Sequence, residues 1–261
     1  MAKPSKPAAE MSVAELAAYI DHSVLKPDFS PADVRREVEA GIAYGCRTVC
    51  INPASIEIAA PLCAGTNTGV CVVVDFPFGC SSTASKVAQT EIALDAGVQE
   101  LDVVANYGWI RGGEMQRVEH DLRAVIDACH DRGVLVKVIF ETDALTLDEI
   151  RGAAEAAVAA GADFVKTSTG FFTGTNQHDK TGASDEMVAF MIECSAGRCQ
   201  VKGSGSIRDR EHFLRLIDAG IDRMGIGYRS TPVVLGLSTD GSAVGRDRKS
   251  TRLNSSHDQI S

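Results

Sequence analysis

Leu135-Val136-Lys137-Val138-Ile139-Phe140-Glu141 is followed by Thr146-Leu147-Asp148-Glu149 and a helical pattern to Ala160. Then come Gly161-Ala162-Asp163 and Phe164-Val165-Lys166-Thr167-Ser168-Thr169. The first run is β-branched and nearly continuous in apolar character, as expected of a strand buried on both faces of a parallel sheet. Thr146 and Glu149 have capping-box spacing, which opens a helix, and Gly161 closes it. Phe164 begins a second strand. The stretch therefore reads as strand, helix, strand.

The alternation extends in both directions. Apolar runs at residues 19–21, 48–52, 71–76, 100–106, 135–141, 164–169, 200–204 and 223–227 make eight strands. Helical patterns fill 31–44, 85–96, 116–131, 146–160, 184–194 and 210–219. Ser30 with Pro31 is a good helix start, and Gly97, Gly133, Gly161 and Gly220 are plausible stops. Eight strands alternating with helices predict an α/β fold, a single (β/α)8 TIM barrel, and 261 residues suit its usual size of roughly 250. An open doubly wound sheet is the runner-up, but no G-x-G-x-x-G follows the first strand. Residues 1–13 read as a disordered lead-in, 14–240 as the barrel and 241–261 as a disordered tail. From about residue 249 the tail resembles an adaptor-derived read-through; a natural disordered tail is the alternative.

Lys plus Arg is 26 against 35 Asp plus Glu, a formal charge of −9 that disfavours nucleic acid or an anionic membrane as partner. No window has the roughly 18 apolar residues of a membrane span. The eight cysteines contain no C-x-x-C pair, and Cys50 and Cys71 lie inside apolar runs. Reduced thiols in a cytoplasmic protein are the expectation.

In a (β/α)8 barrel, reactive groups gather at the C-terminal strand ends. Asp21, His22, Asp102, Lys137, Glu141, Lys166 and Lys202 fall in or at the end of predicted strands. A buried lysine loses hydration unless it is paired or neutral. Repulsion between lysines on adjacent strands, together with burial, lowers a lysine pKa and leaves a nucleophilic amine. Asp102 could hold the charged partner and move protons. The pattern suits carbonyl chemistry without a metal or organic cofactor. It suits equally a buried Lys–Asp pair that supports the core. No His, Cys or carboxylate spacing typical of a metal site appears.

Ala160-Gly161-Ala162-Asp163-Phe164-Val165-Lys166-Thr167-Ser168-Thr169-Gly170-Phe171 resembles the Schiff-base strand of the deoxyribose-phosphate aldolase family. Matching motifs follow the family's order: Ile20-Asp21-His22-Ser23-Val24-Leu25-Lys26-Pro27, Val49-Cys50-Ile51-Asn52-Pro53, Asp75-Phe76-Pro77-Phe78-Gly79 and Glu100-Leu101-Asp102-Val103-Val104. Lys137-Val138-Ile139-Phe140-Glu141-Thr142 and Val201-Lys202-Gly203-Ser204-Gly205-Ser206-Ile207-Arg208 complete the set. The resemblance spans residues 14–236 and implies a class I lyase acting in deoxynucleotide breakdown. Its reaction is reversible cleavage of 2-deoxy-D-ribose 5-phosphate to acetaldehyde and D-glyceraldehyde 3-phosphate.

The resemblance also implies roles. Lys166 forms the imine, Lys202 lowers its pKa, and Asp102 hydrogen-bonds Lys202 and moves protons. Asp21 and Ser23 order the site, Cys50 lies near it, and Lys137 joins its polar network in a structural or catalytic role. Thr169, Gly170, Gly205, Ser206, Arg208, Gly225, Gly227 and Tyr228 are expected to contact substrate. Small aldehydes and sugar phosphates are the implied partners, with a monomer or homodimer as the assembly. In relatives the terminal segment can carry a tyrosine that reaches the site; here the suspect tail stands in that place and has no tyrosine.

The phosphate turns depart from the family. Ser206 replaces the second glycine of the turn after strand seven, and Gly227-Tyr228 replaces two serines after strand eight. Weaker or altered phosphate recognition is the expectation. A sister aldolase with another or unphosphorylated acceptor is therefore one rival reading. A catalytically silent sugar-phosphate-binding barrel is the other. The segment 171–184 is long for the family and reads as a lid or a tolerated surface insertion. His22 reads as structural.

Overall fold

The computed structural model describes residues 4–237. Its centre is a closed barrel of eight parallel strands in sequential order. They are β1 (Ile20–Val24), β2 (Thr48–Ile51), β3 (Gly69–Val74), β4 (Glu100–Val104), β5 (Leu135–Ile139), β6 (Phe164–Lys166), β7 (Gln200–Ser204) and β8 (Arg223–Gly227). Closure through the β1–β8 pairing excludes the open doubly wound sheet. No helix of the described residues is long and apolar enough to cross a membrane.

The main outer helices are α1 (Val13–Ala17), α2 (Pro31–Ala43), α3 (Ile56–Cys63), α4 (Thr83–Asp95), α5 (Tyr107–Arg111), α6 (Met115–His130), α7 (Leu147–Ala160), α8 (Asp185–Ser195), α9 (Arg210–Ala219) and α10 (Thr231–Leu235). Local chemistry sets their ends. Ser30 and Thr146 both form reciprocal capping boxes, with Asp33 and Glu149. Gly161 and Gly220 close α7 and α9 with positive φ.

Successive strand residues alternate between the two faces. Val49, Ile51, Val72, Leu101, Val103, Val136, Val138, Val165, Val201 and Met224 belong to the main hydrophobic core, between sheet and helices. The opposite positions point into the barrel. They include Asp21, Cys50, Cys71, Glu100, Asp102, Lys137, Lys166, Lys202 and Arg223, all buried. Barrels of this type usually fill that space with branched apolar side chains; here it holds charge.

Several boundaries differ from the sequence reading. β1 runs from Ile20 to Val24, so Asp21 and His22 lie inside the strand, on opposite faces. β3 begins at Gly69 and ends at Val74, leaving Phe76-Pro77, joined by a cis peptide bond, in the following loop. β6 ends at Lys166, which puts Thr169 and Gly170 in the loop above it. Helix α3 was not expected; Pro61 inside a nearly uniform apolar run hid it. The N-terminal lead-in is ordered where described. Ala8 is fully buried at the start of a 3-10 turn, and its N–H donates to Asp218 at 2.8 Å. The expected tail at 241–261 lies outside the described residues.

Candidate active site

Strand register places the charged side chains. Asp102 on β4 is level with Lys137 on β5, and Lys166 on β6 is level with Lys202 on β7. All three lysines turn inward onto one carboxylate. Lys166 Nζ and Lys202 Nζ each donate to Asp102 Oδ2 at 2.7 Å, and Lys137 Nζ donates to Oδ1 at 2.9 Å. Lys202 also pairs with Asp21. Beneath them, Glu100 receives Lys137 at 2.6 Å and Arg223 at 3.0 Å, and Arg223 reaches Asp21 at 2.7 Å.

The cluster opposes Lys137, Lys166, Lys202 and Arg223 to Asp21, Glu100 and Asp102. Burial pushes the Asp102 carboxyl up, but Lys137, Lys166 and Lys202 outweigh it and hold the group well below the usual carboxylate range. Asp21 is likewise held low against burial by Lys202, Lys137 and Arg223. Burial pulls Lys202 down, yet Asp102 and Asp21 raise it above an ordinary lysine. Lys137 is raised in the same way by Asp102, Cys71, Asp21 and Glu100. The expected Lys–Lys repulsion is thus set against shared carboxylates. The expected Asp102–Lys202 bond is present, and Asp102 holds the other two lysines as well.

A cavity of about 400 Å³ opens above this cluster. Ser23, Lys166, Thr169, Gly170, Gly205, Ser206, Arg208, Gly225, Gly227 and Tyr228 all line it. Among the described residues, Lys166 is the one member of the charged cluster that borders it. Asp21, Asp102, Lys137, Lys202 and Cys50 sit deeper in the barrel wall. Cys50 packs with Leu25, Cys71 and Val73.

The mouth is built from loops. Ser206 adopts φ 62° and Gly205 φ 85°, so the serine keeps a conformation that glycine enters more readily. Ser206 Oγ lies 2.8 Å from Thr181 Oγ1. The 171–184 segment is pinned here. Gly182 donates to Asp143 at 2.8 Å, and a Cβ on Gly182 would meet Gly205 backbone at 2.7 Å. Tyr228 packs edge-on against Phe29 with centroids 5.0 Å apart, and Arg229 lies 5.2 Å from its ring.

The sequence reading missed several members of the site. Glu100 and Arg223 complete the ion cluster, Thr48 donates to Asp21 at 2.8 Å, and Lys26 and Arg229 border the cavity. Two positions before Asp102, Glu100 shares its face, and that spacing was the available signal. Glu141 has φ 60° and accepts from the Thr169 hydroxyl. Burial, with Asp143 adding to it, raises its carboxyl to about 7 although the Thr169 bonds oppose this. His22 turns outward to Thr231 at 2.8 Å, a structural place. Potential metal-ligand atoms gather within 4.8 Å at Cys50, Cys71 and Asp102, and again at Asp21, Cys71 and Glu100. The surrounding lysines and Arg223 oppose a cation at either place.

The model of the DeoC/LacD family of aldolases matches residues 16–248. The chain belongs to that family. Among curated family members, deoxyribose-phosphate aldolase of Micrococcus luteus is 43% identical over 232 residues, covering 87% of this chain and 97% of that protein. Deoxyribose-phosphate aldolase 1 of Staphylococcus aureus strain MRSA252 is 40% identical over 222 residues, covering 85% and 96%. The solved deoxyribose phosphate aldolase from Aeropyrum pernix, described as tetrameric, superposes with TM-score 0.77 at 28% identity over 86% of this chain and 91% of that one.

Proposed function

We propose that this aldolase cleaves 2-deoxy-D-ribose 5-phosphate reversibly to acetaldehyde and D-glyceraldehyde 3-phosphate through an imine on Lys166. One observation carries the reading: Lys166 Nζ borders the cavity while sharing Asp102 Oδ2 with Lys202, 2.7 Å from each. Lys166 has one carboxylate partner, whereas Lys202 has two. Its amine is the least restrained of the cluster.

The Lys166 amine adds to the C1 aldehyde of the open-chain sugar, and water leaves to give a protonated imine. A base removes the C3 hydroxyl proton. The C2–C3 bond breaks, its electron pair enters the enamine, and D-glyceraldehyde 3-phosphate departs. Protonation at C2 and hydrolysis release acetaldehyde and the amine. Asp102 and the Lys202 ammonium lie next to every nitrogen-centred proton transfer. Lys137, Glu100 and Arg223 hold this pair from below, as positioning residues.

Gly205 and Ser206 at one turn, and Gly227 and Tyr228 at the other, face the same cavity, with Lys26, Arg208 and Arg229 at its edge. Backbone amides with nearby cations suit the substrate phosphate. Tyr228 on Phe29 supports a second reading, in which the acceptor carries no phosphate. Steady-state cleavage of 2-deoxyribose 5-phosphate against free 2-deoxyribose separates the two. The first reading predicts strong preference for the phosphorylated sugar, and equal rates favour the second. No turnover of either sugar by folded protein contradicts the aldolase reading. The free thiols accord with a reducing compartment such as the cytoplasm.

A further inference from the structure

The barrel wall carries two thiols that the aldolase reaction leaves unused. Cys50 on β2 and Cys71 on β3 are register partners on adjacent strands. Both are buried and face inward with Leu25 and Val73, under Phe76 and Phe171. Their sulfurs and an Asp102 oxygen lie within 4.8 Å of one another. Cys71 donates to Asp102 Oδ1 at 3.2 Å and receives Lys137 Nζ at 3.4 Å. The pair therefore touches the carboxylate that anchors Lys166 and Lys202.

Paired strands lie about 4.8 Å apart, a backbone separation that a disulfide spans. The two thiols differ in character. The neighbouring Cys71 thiol, helped by Lys202 and Lys166, lowers Cys50 below an ordinary thiol despite burial and Asp102. Burial, with Cys50 and Asp102 alongside, raises Cys71. One thiol is thus disposed to attack and the other to resolve. Leu25 and Phe171 border both the cavity and the thiols, which gives a water-sized oxidant a short path.

We propose that Cys50 and Cys71 are a modification site, at which hydrogen peroxide closes a disulfide and weakens the hold of Asp102 on the lysines. The Cys50 thiolate attacks one peroxide oxygen. The S–O bond forms, the O–O bond breaks, and the departing oxygen takes a proton to leave as water. Cys50 is now a sulfenic acid. The Cys71 sulfur attacks it, the S–S bond forms, the S–O bond breaks, and a second water leaves with the Cys71 proton. Two electrons pass from sulfur to peroxide. Cys71 then has no proton to give Asp102.

The test treats the full chain with hydrogen peroxide, quenches it, and reads intact mass, unreduced peptide maps and cleavage rate before and after dithiothreitol. Cys50→Ala and Cys71→Ala are each compared with their own untreated rate. The expected result is a mass lower by two hydrogens and a linked Cys50–Cys71 peptide. Cleavage slows by at least about tenfold, the scale of one lost hydrogen bond to a charged group. Dithiothreitol restores it, and both variants escape the loss. Sulfinic acid on either cysteine without a link overturns the proposal. So does a link with an unchanged rate, or no link at peroxide that fully oxidises the exposed Cys80. The loss of rate rests on the aldolase reading, whereas the link is scored by mass alone. A chain with no turnover before treatment therefore fails that reading and not the link.

Discussion

The ion cluster on the strands and the mouth on the loops are held in different ways. In the barrel, register fixes each charge against its partner, and most groups have more than one. Lys137 meets Asp21, Glu100 and Asp102, and Asp102 meets Lys137, Lys166 and Lys202. Removing one member strands the others in a medium that cannot hydrate them. At the mouth, Ser206 keeps a left-handed conformation next to a single hydroxyl contact, and Tyr228 rests on Phe29 at the edge. Such residues can change one at a time. Ser206, Gly227 and Tyr228, the expected departures from the resembled turns, all line the cavity at this mouth.

The largest expected effect separates chemistry from stability inside the cluster. Lys166→Ala lowers the cleavage rate by at least about 10³-fold, since among the described residues no other amine of the charged cluster borders the cavity. It lowers stability far less than a carboxylate substitution does, because four buried cations face three carboxylates. Steady-state kinetics paired with urea unfolding check this, and comparable stability losses for Lys166→Ala and Asp102→Asn break the distinction. Asp102→Asn destabilises the fold by about 3–5 kcal/mol, the scale of a buried pair left with one partner. A urea midpoint close to that of the unaltered chain sinks this prediction.

Glu141 stands between the two regions. Its carboxyl is raised from 4.5 to about 7, so the folded chain binds the proton more tightly than the unfolded chain. Its stabilising contribution is present below pH 4.5 and is lost as pH rises toward 7. Glu141→Gln removes that decline, by up to about 3 kcal/mol from linkage. Unfolding free energies at intervals from pH 4.5 to 8 measure it, and identical slopes in the two proteins contradict it. The smallest effect is at the mouth. Ser206→Gly relieves the φ of 62° and stabilises by about 0.5–1 kcal/mol. A fall in thermal midpoint shows that the Thr181 contact outweighs the backbone.

The barrel was legible because strands buried on both faces leave nearly unbroken apolar runs. Lys166, Lys202 and Asp102 stood out because a charge inside such a run is costly unless it is paired. Glu100 and Arg223 were harder to read, since their partners are set by register between strands far apart in sequence. The limits of β1 depended on pairing with β2 and β8, which local pattern does not reveal. α3 lacks a polar stripe and contains Pro61, so its helix rests on tertiary packing. Ser206 read as a lost glycine, but the turn keeps its left-handed backbone.

The central claim is that Lys166 is the amine that reacts. Incubation with acetaldehyde and borohydride, followed by intact mass and peptide mapping, tests it directly. The account predicts one reduced ethyl adduct on Lys166 that Lys166→Ala lacks. An adduct on Lys202 or Lys137 instead, or none on folded protein, contradicts it.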